Sequence, residues 1–265
     1  MEPSSERPHP AADAATAATW TALRHHTAPP AFTVAVAELL AQHVDLLRPV
    51  LDAGAGSGHL VAALAARGAH VVTLDLSVPM LERVPAGLRR VAGDATALPV
   101  RSGAAGAVLA AHVLHVVPDW QRAVAELDRV AGPDGVVLVQ ATPSTGATGP
   151  AAPLRSVFRD HLPPRAIVGN EVAYEPKRLD VAFAGLGRAA TDLPEGRMPR
   201  QETRRGLLRW LSGNLWTWPG PTTEAERARA AGAAVAWATA EGMDLDEPFE
   251  ADSISRWRRY ARPGG

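Results

Sequence analysis

Apolar residues recur along this chain in two rhythms. Between residues 31 and 47, Phe32, Val36, Leu39, Leu40, Val44 and Leu47 fall at helical spacing, and Pro49 ends the predicted helix. Short apolar runs then alternate with helical stretches. Residues 50–53, 70–74, 88–92, 107–111 and 136–140 read as strands. Residues 59–67, 78–84 and 118–130 read as helices, the first closed by Gly68 and the last bounded by Pro118 and Gly132. This alternation predicts an α/β fold, a doubly wound and mostly parallel sheet with helices on both faces.

The rhythm loosens after Thr142. Residues 143–153 hold several Pro and Gly and read as a loop, 154–161 and 177–185 as short helices, and 187–193 as a sixth strand. Helices follow over 203–215 and 222–240, within a helical insertion spanning about 200–245, and 253–260 is expected as a seventh strand at the sheet edge. Residues 1–15 are rich in Pro, Ser and Ala, and are expected to be a disordered tail before a single domain over 16–265.

Composition narrows the function. The chain has 265 residues, 46% hydrophobic and 21% charged, and a net charge of −1, so nothing points to nucleic acid or a membrane surface. Lys177 is the only lysine, which with the abundant Ala, Gly and Pro reads as a coding bias. The absence of cysteine excludes disulfides, thiolate-bound metals and a thiol nucleophile, and no metal site is expected. No apolar run reaches the roughly 20 residues of a membrane span, and Met1 to Ser5 lack the features of a signal peptide; a cytoplasmic location is the expectation.

The most informative stretch is Leu51-Asp52-Ala53-Gly54-Ala55-Gly56-Ser57-Gly58, between a strand and a helix. Glycines there permit a tight turn and close approach of a ligand to the backbone, and free amides at a helix start favour an anion. His59 stands where a dinucleotide-binding loop wants its third glycine. Asp52 would repel a pyrophosphate but suits an ammonium or sulfonium. Asp75 ends the second strand, where an acid can accept ribose hydroxyls. Asp94 ends the third, where a carboxylate can take the amine of adenine. Three successive strands thus each end in an acid on the edge where open α/β sheets bind ligands.

Together, residues 51–58, 73–77, 93–99, 110–120 and 127–139 resemble the class I S-adenosylmethionine-dependent methyltransferases, in particular the small-molecule branch of ubiquinone and sterol-type enzymes. The resemblance covers about residues 49–141, the expected cofactor-binding half, and leaves 142–265 as the substrate-side half. It implies a seven-stranded Rossmann-like sheet and S-adenosylmethionine as cofactor, with S-adenosylhomocysteine as product. By the same resemblance Asp52, Gly54, Ala55, Gly56 and Gly58 hold the methionine moiety, Asp75 and Leu76 the ribose, and Asp94 and Ala95 the adenine. Ala111 and His112 would line the cofactor near its reacting end.

The implied reaction is in-line methyl transfer to an oxygen, nitrogen or carbon nucleophile of a small molecule, for which orientation can supply much of the rate. His112 and His115 are the candidate bases, His112 toward the cofactor and His115 toward the acceptor; the alternative is that both only shape the pocket. Trp20, His25 and His26 suit a lid or an ordinary surface. Trp210, Trp216 and Trp218 read as packing or as an aromatic wall for substrate. Arg197, Arg200, Arg204, Arg205 and Arg209 read as a solvated face or, if functional, as a site favouring an acidic substrate group. A cyclase or binding protein built on the same cofactor site, a nicotinamide-dependent oxidoreductase and a nucleic-acid methyltransferase remain alternatives. Oligomeric state is not legible.

Overall fold

Four short runs of largely apolar residues form the centre of the sheet in a computed structural model of the chain. The structure describes residues 14–15, 17–18, 21, 28–141, 149–163, 175, 177–213 and 222–263. In chain order the elements are α1 (Pro30–Ala41), β1 (Val50–Ala53), α2 (His59–Ala65), β2 (Val71–Asp75), α3 (Val78–Leu81), β3 (Arg89–Ala92), β4 (Ala107–Ala110), α4 (Trp120–Ala131) and β5 (Val136–Ala141). Then come α5 (Ala152–Asp160), α6 (Lys177–Gly185), β6 (Ala189–Asp192), β7 (Gly196–Thr203), α7 (Arg204–Ser212), α8 (Glu224–Ala240) and β8 (Pro248–Ala261).

The sheet runs β3-β2-β1-β4-β5-β8-β6, with β7 pairing β8 off that path. β1 to β5 are parallel and β8 is antiparallel to both β5 and β6. The doubly wound α/β class expected from the sequence is therefore present, with an eighth strand added to the seven. Alternate residues of β4 serve the two faces: Val108 and Ala110 face the core under α4 and α6, while Ala107 and Leu109 face the core under α1 and α2. α5, α7 and α8 form a third core through Leu154, Phe158, Leu207, Leu211 and Ala234, and so make a cap. The boundaries of α5 to α8 fall within a few residues of those expected. Among the described residues, no helix is long and apolar enough to cross a membrane.

Three expectations are corrected. The first helix stops at Ala41, well before Pro49, because the chain turns at Gln42 and Asp45 caps the Leu47 amide; Leu47 is 91% exposed and is not part of an apolar stripe. The last strand is not at the edge. β8 is inserted between β5 and β6, with Val137 opposite Tyr260 and Ala190 opposite the same Tyr260. Its first half leaves the sheet and pairs β7 in a ribbon, from Gly196 opposite Ser255 to Thr203 opposite Pro248. Residues 1–13 of the expected tail lie outside the described residues, whereas Ala14 and Ala15 carry helical backbone. Trp20, His25, His26, Trp216 and Trp218 also lie outside the described residues, so the readings placed on them are not carried further.

Candidate functional site

β1 delivers its residues to the sheet's carboxyl edge in the order the sequence demands. Asp52 is 2% exposed among the strands, and the chain after Ala53 turns through Gly54, Gly56 and Gly58, all at positive φ. Gly54 shows why glycine is required. A Cβ there would come within 2.5 Å of the Val113 side chain, and its φ of +77° is one that L side chains rarely adopt. The Gly54 and Ala55 amides both donate to the Leu74 carbonyl, at 2.8 and 2.9 Å, so the loop is pinned to the end of β2.

Asp75 completes that pinning. One carboxylate oxygen accepts the Gly56 amide at 2.7 Å, and the other accepts the Ser77 amide at 2.8 Å. Its carbonyl accepts the Gly93 amide at 3.0 Å, which fixes the turn leading to Asp94. The Ser77 hydroxyl then caps α3 by accepting the Met80 amide. Leu76 lies between these two anchors. A single acid thus holds the glycine loop, the start of α3 and the approach to the third strand end in one geometry.

Asp94 accepts both the amide and the hydroxyl of Thr96, at 2.8 and 2.9 Å, and Ala95 is buried beside it. The loop that follows is clamped from α4. Arg122 Nε donates to the Thr96 carbonyl at 2.9 Å, the Glu126 carboxylate accepts the Leu98 amide at 2.7 Å, and Arg129 donates to the Leu98 and Val100 carbonyls. The hydrogen bond from Arg129 holds the Glu126 carboxyl below its usual pKa, so the clamp stays charged at neutral pH. Sequence reading missed this clamp. Its only trace there is the i, i+3 pair of Glu126 and Arg129.

The segment after β4 closes the site. Ala111 is half-buried, and His112 is exposed with a φ of 53°, the only positive value of a non-glycine among the described residues. Such backbone is costly and marks a place held by its surroundings. The rings of His112 and His115 meet edge to face with centroids 6.4 Å apart. Burial lowers the His115 pKa to about 4, so its imidazole is neutral across the physiological range. Val113, between them, is the residue that covers Gly54. Met80 and Val84, which approach Gly56 and Gly58 from the α3 side, were also absent from the sequence reading.

Every site residue read from the sequence therefore reaches one edge of the sheet. Asp52, Gly54, Ala55, Gly56 and Gly58 come from β1, Asp75 and Leu76 from β2, Asp94 and Ala95 from β3, and Ala111, His112 and His115 from β4. The donor set fits S-adenosylmethionine. A buried acid lies under a loop of left-handed glycines, and a second acid is bonded to that loop at the end of β2, the strand end where this fold class can hold a ribose. The arginines divide. Arg197 pairs Glu195 and Asp252 and Arg205 pairs Asp246, both half exposed, which makes these a solvated face, whereas Arg204 is largely covered, donating to the Asp244 carbonyl and lying over the Phe249 ring. Arg200 is also covered, its side chain 13% exposed, and it pairs with the buried Glu202.

Comparison with known proteins agrees with this geometry. Residues 51–139 match a methyltransferase domain family. An uncharacterized protein of Mycobacterium tuberculosis is 32% identical over 187 residues, 66% of this chain and 65% of that protein. The demethylmenaquinone methyltransferase of Renibacterium salmoninarum is 36% identical over 178 residues, 63% of this chain and 66% of that protein. The chain thus spans just under two thirds of the length of these curated relatives. Among solved structures, the YcgJ protein of Bacillus subtilis superposes with a TM-score of 0.54 at 20% identity, over 86% of this chain and 98% of that one. A methyltransferase from an antibiotic biosynthesis pathway of Anabaena variabilis superposes with a TM-score of 0.58 at 14% identity, over 85% and 96%. At these identities the structural likeness shows the fold alone.

Proposed function

We propose that this chain, which resembles the methyltransferase domain family over residues 51–139, is a class I S-adenosylmethionine-dependent methyltransferase that transfers a methyl group to an oxygen, nitrogen or carbon nucleophile of a small molecule. The observation that carries this reading is the Asp75 carboxylate. It ties the glycine loop to the end of β2 and stands where a ribose is held. When bound, the cofactor supplies an electrophilic methyl group on a sulfonium. The chain's own groups bind and orient it. Asp52 places negative charge beneath the glycine loop, which favours a cationic ligand.

His115 acts in this reading as a neutral acceptor that orients the incoming nucleophile. A group with a pKa of about 4 is a poor base for a hydroxyl, so its contribution is alignment rather than early proton removal. His112, exposed on strained backbone beside it, would line the reacting end of the cofactor. Holding donor and acceptor in line supplies the larger share of the rate, on the order of 7–11 kcal/mol for well-oriented pairs. The quinone precursor named for the Renibacterium relative is that protein's acceptor, and the net charge of −1 here favours no nucleic-acid target.

Thermal-shift titration tests the reading. S-adenosylmethionine and S-adenosylhomocysteine at ~100 times their dissociation constants should each raise Tm by roughly 5–10 °C. Asp75→Ala should abolish both shifts. A shift with NAD alone would replace this reading with a nicotinamide-dependent oxidoreductase.

A further inference from the structure

The inner face of the β7–β8 ribbon carries charge that the cofactor site does not use. Met198, Arg200 and Glu202 alternate inward along β7, and Ala251, Ser253 and Ser255 along β8. Arg200 Nη1 pairs with Glu202 Oε2 at 2.5 Å, and that carboxylate also accepts the Thr203 amide. Arg155 reaches the same place from α5, where its guanidinium lies 5.5 Å over the ring of Trp210. Burial and the charge of Arg200 both lower its pKa, while Glu202 opposes them, so the three groups share one enclosed space. Two guanidiniums and one carboxylate leave an excess of one positive charge.

Three donors in this cluster are buried with no hydrogen-bond partner: Arg155 Nη1, Arg200 Nε and the Ser253 hydroxyl, on a residue only 2% exposed. Each such donor costs stability, which a fold keeps only where something offsets it. Arg200 stands opposite Ala251, so Ser253 is its diagonal neighbour, within about 8 Å along the ribbon. The cluster is continuous with the sheet's working edge. Ser255, on the same face as Ser253, accepts hydrogen bonds from Gln140 near the end of β5 and from Trp257. From Ser255 to Ala251 is four residues, about 13 Å of strand.

We infer that Arg155, Arg200 and Ser253 form an anion-recognition site between the cap and the β7–β8 ribbon, which takes a single carboxylate of the methyl acceptor at the end remote from its reacting atom. One excess charge matches one carboxylate, and the guanidinium fork matches its two oxygens. Trp210 adds an aromatic wall, so the substrate class is an aromatic or largely apolar carboxylic acid. The inference deepens the methyltransferase reading and rests on it for the role of the bound acid as acceptor. The site itself is a separate claim.

Sodium benzoate and the neutral isostere benzamide, compared at equal ionic strength on the full chain, test it. Benzoate should raise Tm by several degrees and benzamide should not. The difference should vanish in Arg155→Met and shrink in Arg155→Lys, which keeps the charge but loses the fork. The Lys variant and Ser253→Ala carry the test should the Met variant fail to fold. Equal shifts with both ligands, no shift with benzoate, or a benzoate shift untouched by these substitutions would overturn the site. A shift with inorganic phosphate and none with benzoate would overturn the carboxylate assignment. S-adenosylhomocysteine binding on the same samples separates the two claims. It should be unchanged in every variant, and its absence from the unmodified protein would sink the methyltransferase reading while leaving the benzoate result to stand alone.

Discussion

Asp75 accepts the Gly56 amide at 2.7 Å across a separation of 19 residues, so one carboxylate closes the glycine loop against the neighbouring strand. Its second oxygen takes the Ser77 amide, and both bonds are charge-assisted. Asp75→Asn keeps the size but aims an NH2 donor at one of these amides. Stability should fall by about 1.5–3 kcal/mol in urea denaturation, and S-adenosylhomocysteine should bind at least tenfold more weakly. Equal stability and affinity in the variant would break the link between loop closure and binding.

Gly54 and Gly68 both adopt positive φ, yet only Gly54 is pressed by a neighbour. Gly54→Ala would drive a methyl into Val113, whereas a Cβ at Gly68 meets nothing within 4 Å. Both substitutions carry a backbone cost of roughly 1–2 kcal/mol. Gly54→Ala should in addition displace the segment carrying His112 and His115, and lower turnover far more than Gly68→Ala. Calorimetric binding and steady-state kinetics on the pair separate the two effects.

His115 ties stability to pH. Its folded pKa of about 4 lies below the unfolded value near 6.5, so above pH 6.5 both states are neutral and the group contributes nothing. As pH falls below 6.5 the unfolded chain takes up the proton first, and stability is lost until about pH 4, by about 3 kcal/mol in total. His115→Leu should flatten this part of the stability profile. Turnover should fall in the same variant while cofactor affinity holds. Unaltered turnover would remove His115 from the acceptor side.

Arg188 is a structural charge with no solvent contact, its side chain 0% exposed. It donates to Asp128 at 2.5 Å and to the carbonyls of Gly132 and Gly135, both at 2.7 Å, joining the end of α4 to the start of β5. Arg188→Met would leave Asp128 with only the longer contacts to Arg262. Stability should drop by about 3–5 kcal/mol with cofactor affinity preserved. A loss of affinity without loss of stability would move Arg188 into the functional machinery.

The parallel half of the sheet was legible because β1, β2, β4 and β5 are short runs rich in Val, Leu and Ala, and the acids at the ends of β1, β2 and β3 fall on one edge once the strands are parallel. β7 was not. Its inward positions hold Arg200 and Glu202, so a period-two pattern of burial exists without a period-two pattern of hydrophobicity. The first half of β8 hid for the same reason, with Glu250 and Asp252 outward and Ala251 and Ser253 inward. The first helix was overextended because Val44 and Leu47 keep the apolar rhythm in a turn that Asp45 stabilises locally. The α4 clamp on the Asp94 loop depends on pairing across 28 residues, between Leu98 and Glu126, which no local signal announces.

β8 occupies a slot between β5, which ends at Ala141, and β6, which ends at Asp192, yet it is made after both. On the ribosome the first five strands can pair as they emerge, but β6 has no partner until Pro248–Ala261 arrives. Until then β5, β6 and β7 each leave an edge that only β8 will cover, and each is a template for pairing with another chain. Completion of the sheet and assembly of the ribbon are therefore one event, late in synthesis. A cell that makes this protein faster than β8 can be delivered should accumulate aggregates in which the cofactor half is already formed.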